Sequence, residues 1–153
     1  LVLSSLHATD AVSALHRFLD MGIESFLIAS CMLGIVGQRL VRRLCPECKA
    51  PYEPTPDEMA MWERSGMPAK DAFFHGEGCV FCANTGYQGR IGVYEVLRVT
   101  DEMKSLIVAN ATHDQLRAEA ISDGMVPLKE QALRLIERDV TTIAEIMRTI
   151  YVL

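Results

Sequence analysis

The sequence predicts an α/β fold, because apolar strand patterns are followed by amphipathic helix patterns along the chain. Residues 1–6 form an apolar run that leads into a helical pattern at 10–21, which is typical of a buried strand followed by a helix. A second strand is predicted at 91–99, because glycines at 86, 89 and 92 indicate a sharp turn that leads into it. Helical patterns then dominate the rest of the chain, so its C-terminal region is predicted to be mainly helical.

Helix start and stop signals predict the other elements. The uncharged stretch at 25–38 is too short to span a bilayer, which needs about 20 apolar residues. It predicts a helix that reaches about residue 40 and is buried on nearly all sides. Thr-Pro-Asp-Glu at 55–58 is a capping box that predicts a short helix ending near residue 65. The remaining helices are predicted at 103–110, at 112–124, from 127 onward, and at 143–151 after a capping box at 142–145.

Composition and charge narrow the class of protein. The chain has 153 residues, of which 50% are hydrophobic and 23% charged, as in ordinary globular domains. Its net charge of −5 argues against a nucleic-acid binder. It begins with Leu1 and has no basic stretch before an apolar one, so we expect no signal peptide and a processed or truncated chain.

Four of the five cysteines form two C-x-x-C pairs, Cys45 with Cys48 and Cys79 with Cys82. A tight turn at this spacing aims two sulfurs at one point, and two such turns complete a tetrahedral Zn²⁺ site. The 30 residues between the pairs exceed a compact zinc ribbon, and the intervening helix accounts for the extra length. Because four thiolates leave no open coordination position, the predicted zinc is structural.

Other cysteine chemistry remains open at this point. A redox dithiol, a rubredoxin-like iron site and disulfides are the alternatives to zinc. The odd number of cysteines and their paired spacing favour metal binding in a reducing cytoplasm. The fifth cysteine, Cys31, is predicted to be a small residue of the core, since free cysteine is among the most buried residue types.

His7 is a candidate functional residue, because it lies where the first predicted strand ends. Ligands collect at the carboxyl ends of strands in parallel α/β sheets, and an imidazole can hydrogen-bond a phosphate or polarise a water. From position alone, a histidine that satisfies a loop carbonyl is the more ordinary interpretation. The sequence contains no G-x-x-x-x-G-K-[ST] loop, no G-x-S-x-G turn and no H-E-x-x-H motif, so it shows no complete active site.

A basic cluster, composed of Arg39, Arg42, Arg43 and Lys49, flanks the first cysteine pair. Zinc beside arginine is compatible with nucleic-acid binding, but the cluster is short and lacks interleaved aromatic residues. A solvated or subunit-facing surface is therefore the preferred interpretation.

Four segments together resemble the assembly branch of the secretion ATPase superfamily, which comprises type IV pilus assembly and type II secretion ATPases. Leu-Ser-Ser-Leu-His at 3–7 and the Ala-x-x-Ala-x-x-Arg-x-x-Asp-Met-Gly pattern at 11–22 resemble its histidine box. Gln-Arg-Leu-Val-Arg-Arg-Leu-Cys-Pro-x-Cys at 38–48 and the segment from Cys79 to Glu95 resemble its tetracysteine segment. Retraction ATPases of the same superfamily lack the tetracysteine segment and fit less well.

The resemblance implies the C-terminal portion of a RecA-like P-loop ATPase domain with a four-cysteine zinc subdomain. It implies that His7 contacts the γ-phosphate of ATP, with Mg²⁺ bound in the full-length protein, and that Arg17 is a structural or interface residue. It also implies a homohexamer that drives a platform protein of the inner membrane from the cytoplasmic side. The chain would then divide into ATPase core at 1–44, zinc subdomain at 45–92, and returning strand with C-terminal helices at 93–153.

Two function hypotheses follow from the sequence. The first is a fragment of a hexameric assembly ATPase, which by itself is expected to be inactive because its sequence has no phosphate loop. The second is a zinc-stabilised protein-interaction module without a nucleotide role. A zinc-ribbon nucleic-acid binder is a weaker third, and would show affinity that falls steeply with salt.

Overall fold

The computed structural model describes residues 1–151 and contains both helices and strands, in agreement with the predicted α/β class. The strands are β1 (Gly34–Leu44), β2 (Lys49–Tyr52), β3 (Phe73–Gly76) and β4 (Tyr87–Arg98). The helices are α1 (Ala11–Asp20), α2 (Ser25–Cys31), α3 (Pro56–Arg64), α4 (Asp101–Val108), α5 (His113–Ser122), α6 (Leu128–Glu137) and α7 (Ile143–Ile146). A 3-10 turn covers Val80–Cys82, and a π-helical turn, Met147–Tyr151, continues α7.

The strands form two small sheets. β1 pairs with β4 in one, and β2 pairs with β3 in the other. The β2–β3 pair is antiparallel, with Lys49 opposite Gly76 and Tyr52 opposite Phe73. Within residues 1–151, no helix combines the length and the apolar character needed to cross a bilayer.

The chain divides into two compact units. The first unit contains Leu1–Gln38 and Tyr94–Pro127, and the second contains Arg39–Val93 and the chain from Leu128 onward. The sequence predicts domain boundaries at residues 44 and 92 and a RecA-like core. Both remain predictions, since the two compact units do not test them.

The core of the first unit is built by apolar faces of α1, α2, α4 and α5 around the C-terminal part of β4. Leu15, Leu97 and Met103 are completely buried there. The amphipathic pattern at 10–21 is confirmed as α1, which Asp10 caps by accepting the backbone N–H of Ser13. The helices predicted at 103–110 and 112–124 are confirmed as α4 and α5.

The core of the second unit joins β1, β3, α3, α6 and α7. The Trp62 ring meets Phe73 edge-on with centroids 5.4 Å apart, and its Nε1 donates to the Pro68 carbonyl at 3.2 Å, so the polar edge of the buried indole is satisfied. The capping box predicted for α3 is confirmed, since Thr55 and Glu58 bond reciprocally.

Three predictions for the first forty residues are wrong, namely the strand at 1–6, the long buried helix at 25–40 and the core position of Cys31. Residues 1–6 form no strand, and Leu1, Val2 and Leu3 are 88–101% exposed. A strand is stabilised by backbone hydrogen bonds to a neighbour, and none of the described strands pairs with this segment.

The predicted helix at 25–40 ends at Cys31 instead, and β1 begins at Gly34. Glycines at 34 and 37 disfavour a helix, and the β-branched Ile35 and Val36 favour a strand. These preferences outweigh the lack of charged residues, which had suggested one long helix. The helical part is not enclosed either, since Phe26 is 55% exposed. Cys31 is exposed, so its predicted place in the core is wrong.

Candidate functional site

The two cysteine pairs meet in the second unit. Cys45 and Cys48 occupy the turn between β1 and β2, and Cys79 and Cys82 the 3-10 turn between β3 and β4. The four sulfur atoms all lie within 4.8 Å of one another. The Sγ–Sγ distances are 3.8 Å for Cys45–Cys79, 3.8 Å for Cys48–Cys82 and 3.7 Å for Cys79–Cys82. The structure thus brings together the four residues that the sequence selected as metal ligands.

This geometry fits a tetrahedral metal and does not fit disulfides. A Zn–S bond of about 2.3 Å gives a tetrahedral S–S edge of about 3.8 Å, which the distances above match. A disulfide needs sulfurs about 2.05 Å apart, and all four cysteines are free thiols in the structure. Iron prefers the same four-sulfur geometry, so the arrangement selects a thiolate-binding metal, of which zinc is the commonest structural case.

Backbone amides support the sulfur of Cys82. The N–H groups of Cys79 and Gly86 donate to its Sγ at 3.2 Å and 3.3 Å. Burial raises the pKa of this thiol, but these two donors, together with hydrogen bonds from the thiols of Cys79 and Cys48, outweigh burial and lower the pKa to about 6. Burial raises the pKa of Cys48 to about 12. These pKa shifts apply to the thiols without a bound metal, because a bound Zn²⁺ deprotonates every thiol that coordinates it.

The two cysteine turns are locked together by a close backbone approach. The backbone N–H of Cys45 donates to the Gly86 carbonyl at 3.0 Å. Gly86 has a φ of +75°, and a Cβ on either Gly86 or Gly76 would collide with the backbone of the other. A side chain at either position would therefore push the end of β3 away from the residue that precedes β4, on the two sides of the Cys79–Cys82 turn.

The end of β1 that leads to Cys45 is anchored by a buried carboxylate. Glu145, 1% exposed, accepts from Arg42 Nε at 2.9 Å and Nη2 at 2.6 Å, and from the Arg42 backbone N–H at 3.0 Å. Arg148 Nη2 donates to both carboxylate oxygens, at 2.8 and 2.9 Å. Burial by itself raises the pKa of Glu145, but the hydrogen bonds from Arg42 and Arg148 outweigh it and lower the pKa.

Arg42 is therefore more than a surface charge of the basic cluster. Its guanidinium also lies 4.0 Å from the centroid of the Tyr87 ring, and the Tyr87 hydroxyl is 2.7 Å from Thr142 Oγ1. Thr142 caps α7 as predicted by accepting the Glu145 N–H at 3.0 Å. The Glu145 side chain bonds the two arginines, which the capping-box pattern did not indicate.

His7 lies in the first unit, in the irregular segment before α1, with its side chain exposed. It lines an open cleft of about 210 Å³ together with Ala8, Thr9, Ser13, Arg17 and Asp20. The Thr9 hydroxyl donates to Ser13 Oγ at 3.0 Å, which ties the segment to α1. An imidazole, a guanidinium and hydroxyl groups can all donate hydrogen bonds to an anion, whereas the Asp20 carboxylate can only accept them, so the cleft offers several donors to a phosphate beside one acidic group.

Two buried carboxylates were not predicted from the sequence as candidate site residues. One is Glu145. The other is Glu95, which is 2% exposed and whose Oε1 accepts the backbone N–H of Ala11 at 2.6 Å, at the start of α1. A signal existed for Glu95, because it occupies an inward position of the predicted strand between two apolar residues of the same register.

The comparisons with known proteins agree with this geometry. The family model described as "Type II/IV secretion system protein" matches residues 1–148. The chain therefore belongs to the type II/IV secretion system protein family, and its four-cysteine cluster fits the tetracysteine branch.

Several curated relatives are similar to almost the whole chain. The type IV pilus assembly ATPase TfpB of Acinetobacter baylyi is 38% identical over 151 residues, which cover 98% of this chain and 26% of the relative. The type II secretion system protein HxcR of Pseudomonas aeruginosa is 40% identical, with 97% of this chain and 28% of the relative covered. The type IV pilus assembly ATPase PilB of Myxococcus xanthus is 41% identical, with 96% and 26% covered. The chain thus spans roughly a quarter of the length of these relatives.

Proposed function

We propose that this chain is the C-terminal part of a hexameric ATPase that powers type IV pilus assembly or type II secretion. The observation that carries the proposal is the order of the two sites: a histidine segment beside an open polar cleft, followed by a four-sulfur centre. The relatives that share nearly all of this chain at 38–41% identity are named for those two machines.

His7 is proposed to contact the γ-phosphate of ATP. Its exposed imidazole lines the cleft with Arg17, Thr9 and Ser13, and an imidazole N–H can donate a hydrogen bond to a phosphate oxygen. The groups that bind the rest of ATP and its Mg²⁺ belong to a phosphate loop, and no segment of the 153 residues has that pattern. We therefore expect the chain by itself to be inactive.

The four cysteines are proposed to hold a structural Zn²⁺. With Cys45, Cys48, Cys79 and Cys82 as ligands, no coordination position is left for water or substrate. The metal would supply rigidity by joining the turns at both ends of the segment between β1 and β4.

The partners are proposed from the same assignment. The full-length protein would form a homohexamer in the cytoplasm, at the inner face of the cytoplasmic membrane, and would act on a platform protein of that membrane. The net charge of −5 supports a role without nucleic acid.

The test is ATP turnover by the full-length natural protein, comparing the parent with His7→Ala. We expect kcat to fall about 100-fold, as when a group that stabilises developing charge is removed. The matched control is His75→Ala, since His75 lies in the second unit and stacks on Tyr52; it should retain parental kcat. A folded, zinc-loaded parent without turnover would contradict the proposal and favour the interaction module.

A further inference from the structure

Glu95 is a charged residue in a place where the strand pattern calls for an apolar one. Along β4, Val93, Glu95 and Leu97 are buried, while the alternating positions Tyr94 and Val96 are exposed. Desolvating a carboxylate is costly unless hydrogen bonds compensate it. An apolar side chain would fill this position at lower cost, so the hydrogen bonds of the carboxylate have to offset its desolvation.

One of its hydrogen-bond partners is the start of the helix that follows His7. Glu95 Oε1 accepts the N–H of Ala11, the first residue of α1, at 2.6 Å. Asp10 accepts the N–H of Ser13 at 2.7 Å. Two carboxylates thus satisfy amides that have no partner within the helix, and both lie at its positive end. Asp10 belongs to the same segment as the amides that it caps, whereas Glu95 ties the helix start to another strand.

Gly37 on β1 makes room for this carboxylate. A Cβ at Gly37 would lie 2.8 Å from Cγ of Glu95 and 3.0 Å from its Oε1. These distances are shorter than van der Waals contact, so a side chain at Gly37 would displace the Glu95 carboxylate. The position of the Glu95 carboxylate therefore depends on Gly37 and on Ala11. All three residues belong to the first compact unit.

We propose that Glu95 is a positioning residue for the reaction of His7. It holds the first turn of α1, four residues after His7, and thereby sets where the imidazole stands in its cleft. The inference rests on the proposed ATPase function and extends it. Displacements of about 1 Å at a reacting group can cost up to about 100-fold in rate, so this backbone anchor is placed to influence turnover without touching nucleotide.

The test measures kcat and KM for ATP in the full-length protein. Glu95→Leu removes the hydrogen-bond acceptor but keeps a side chain of similar volume. Replacing a buried charge by an apolar residue in this way often leaves the stability of the fold unchanged. Gly37→Ala leaves Glu95 in place and shifts its carboxylate. We expect each to lower kcat about tenfold with KM nearly unchanged. Glu95→Gln keeps the acceptor oxygen and should stay within about twofold of the parent. Glu102→Gln, an exposed change on α4, is the control.

A double variant separates positioning from a general structural role. If Glu95 acts through His7, adding Glu95→Leu to His7→Ala should lower kcat no further, because the group that it positions is already absent. Thermal midpoint and zinc content are measured on every variant.

An active parent in which Glu95→Leu keeps its kcat, or lowers it by the same factor with and without His7, would overturn this inference alone. So would a loss of kcat that only follows the loss of folded protein. An inactive parent would overturn the proposed function and this inference with it.

Discussion

The four-cysteine centre and the histidine segment differ in how their chemistry is held in place. Each cysteine pair lies within one short turn, and backbone N–H groups from neighbouring residues donate to Cys82. His7 lies in an irregular, exposed segment, and the carboxylate that holds the following helix comes from 84 residues away along the chain. A site built from local turns can be recognised by spacing, whereas one anchored by a distant strand cannot.

The largest expected effect is the loss of the proposed metal centre. Cys79→Ser removes one of four ligands, and metal binding to such sites contributes on the order of 10 kcal/mol to folding. We expect the segment between β1 and β4 to unfold while α4 and α5, which lie in the first unit, keep their helical circular dichroism. Zinc content and far-ultraviolet circular dichroism measure both parts.

The matched control for that change is Cys31→Ser, because Cys31 is exposed and lies outside the cluster. It should leave zinc content and thermal midpoint unchanged. Complete removal of metal without any change in thermal stability would mean that the four sulfurs are not a structural site.

A smaller effect is expected at the second buried carboxylate. Glu145→Ala leaves Arg42 and Arg148 without their acceptor, but their side chains are 41% and 60% exposed and can be solvated. We expect a loss of about 2 kcal/mol in the free energy of unfolding, less than for a fully buried pair. Glu130→Ala breaks an exposed pair with Arg134 and should cost at most about 0.5 kcal/mol. Urea titration distinguishes the two, and equal losses would contradict the anchoring role.

The pH dependence of Glu145 gives a second readout of the same contact. Hydrogen bonds from Arg42 and Arg148 outweigh the effect of burial and hold its pKa in the folded state below the ordinary 4.5. Its stabilisation is therefore fully present above pH 4.5 and is lost as the pH falls through the lower folded value. The difference in unfolding free energy between the parent and Glu145→Gln should shrink on acidification. A difference that grows on acidification would show the opposite pKa shift.

The smallest expected effects come from removing a helix N-cap, which can be compared between the two compact units. Thr55 caps α3 in the second unit and Thr112 caps α5 in the first, each in a reciprocal capping box. Thr→Ala at either position should cost about 1 kcal/mol, measured by thermal melting. A much larger loss at Thr55 would mean that the metal region depends on α3 for its integrity. Thr149→Ala serves as a comparison, because the Thr149 hydroxyl donates to the Glu145 carbonyl and caps no helix.

Sequence reasoning succeeded where the signal is local. The capping box at Thr55 and the C-x-x-C turns depend on residues three or four apart, and both are present in the structure as predicted. It failed at residues 1–6 and at 32–40, where the choice between strand, helix and coil depends on which partner pairs with the segment. The uncharged stretch at 25–38 indicated a buried helix, but residues from Gly34 onward form a strand because β1 pairs with β4.

The amino-acid sequence by itself determined which four cysteines come together, where the helices start and the family, because all three depend on short-range patterns of residue type. Only the tertiary structure decided that Glu95 caps the helix after His7 and that Glu145 binds Arg42 across 103 residues of chain. The physical reason is that a buried carboxylate is defined by the donors around it. Those donors are brought to it by packing, which no local pattern in the sequence specifies.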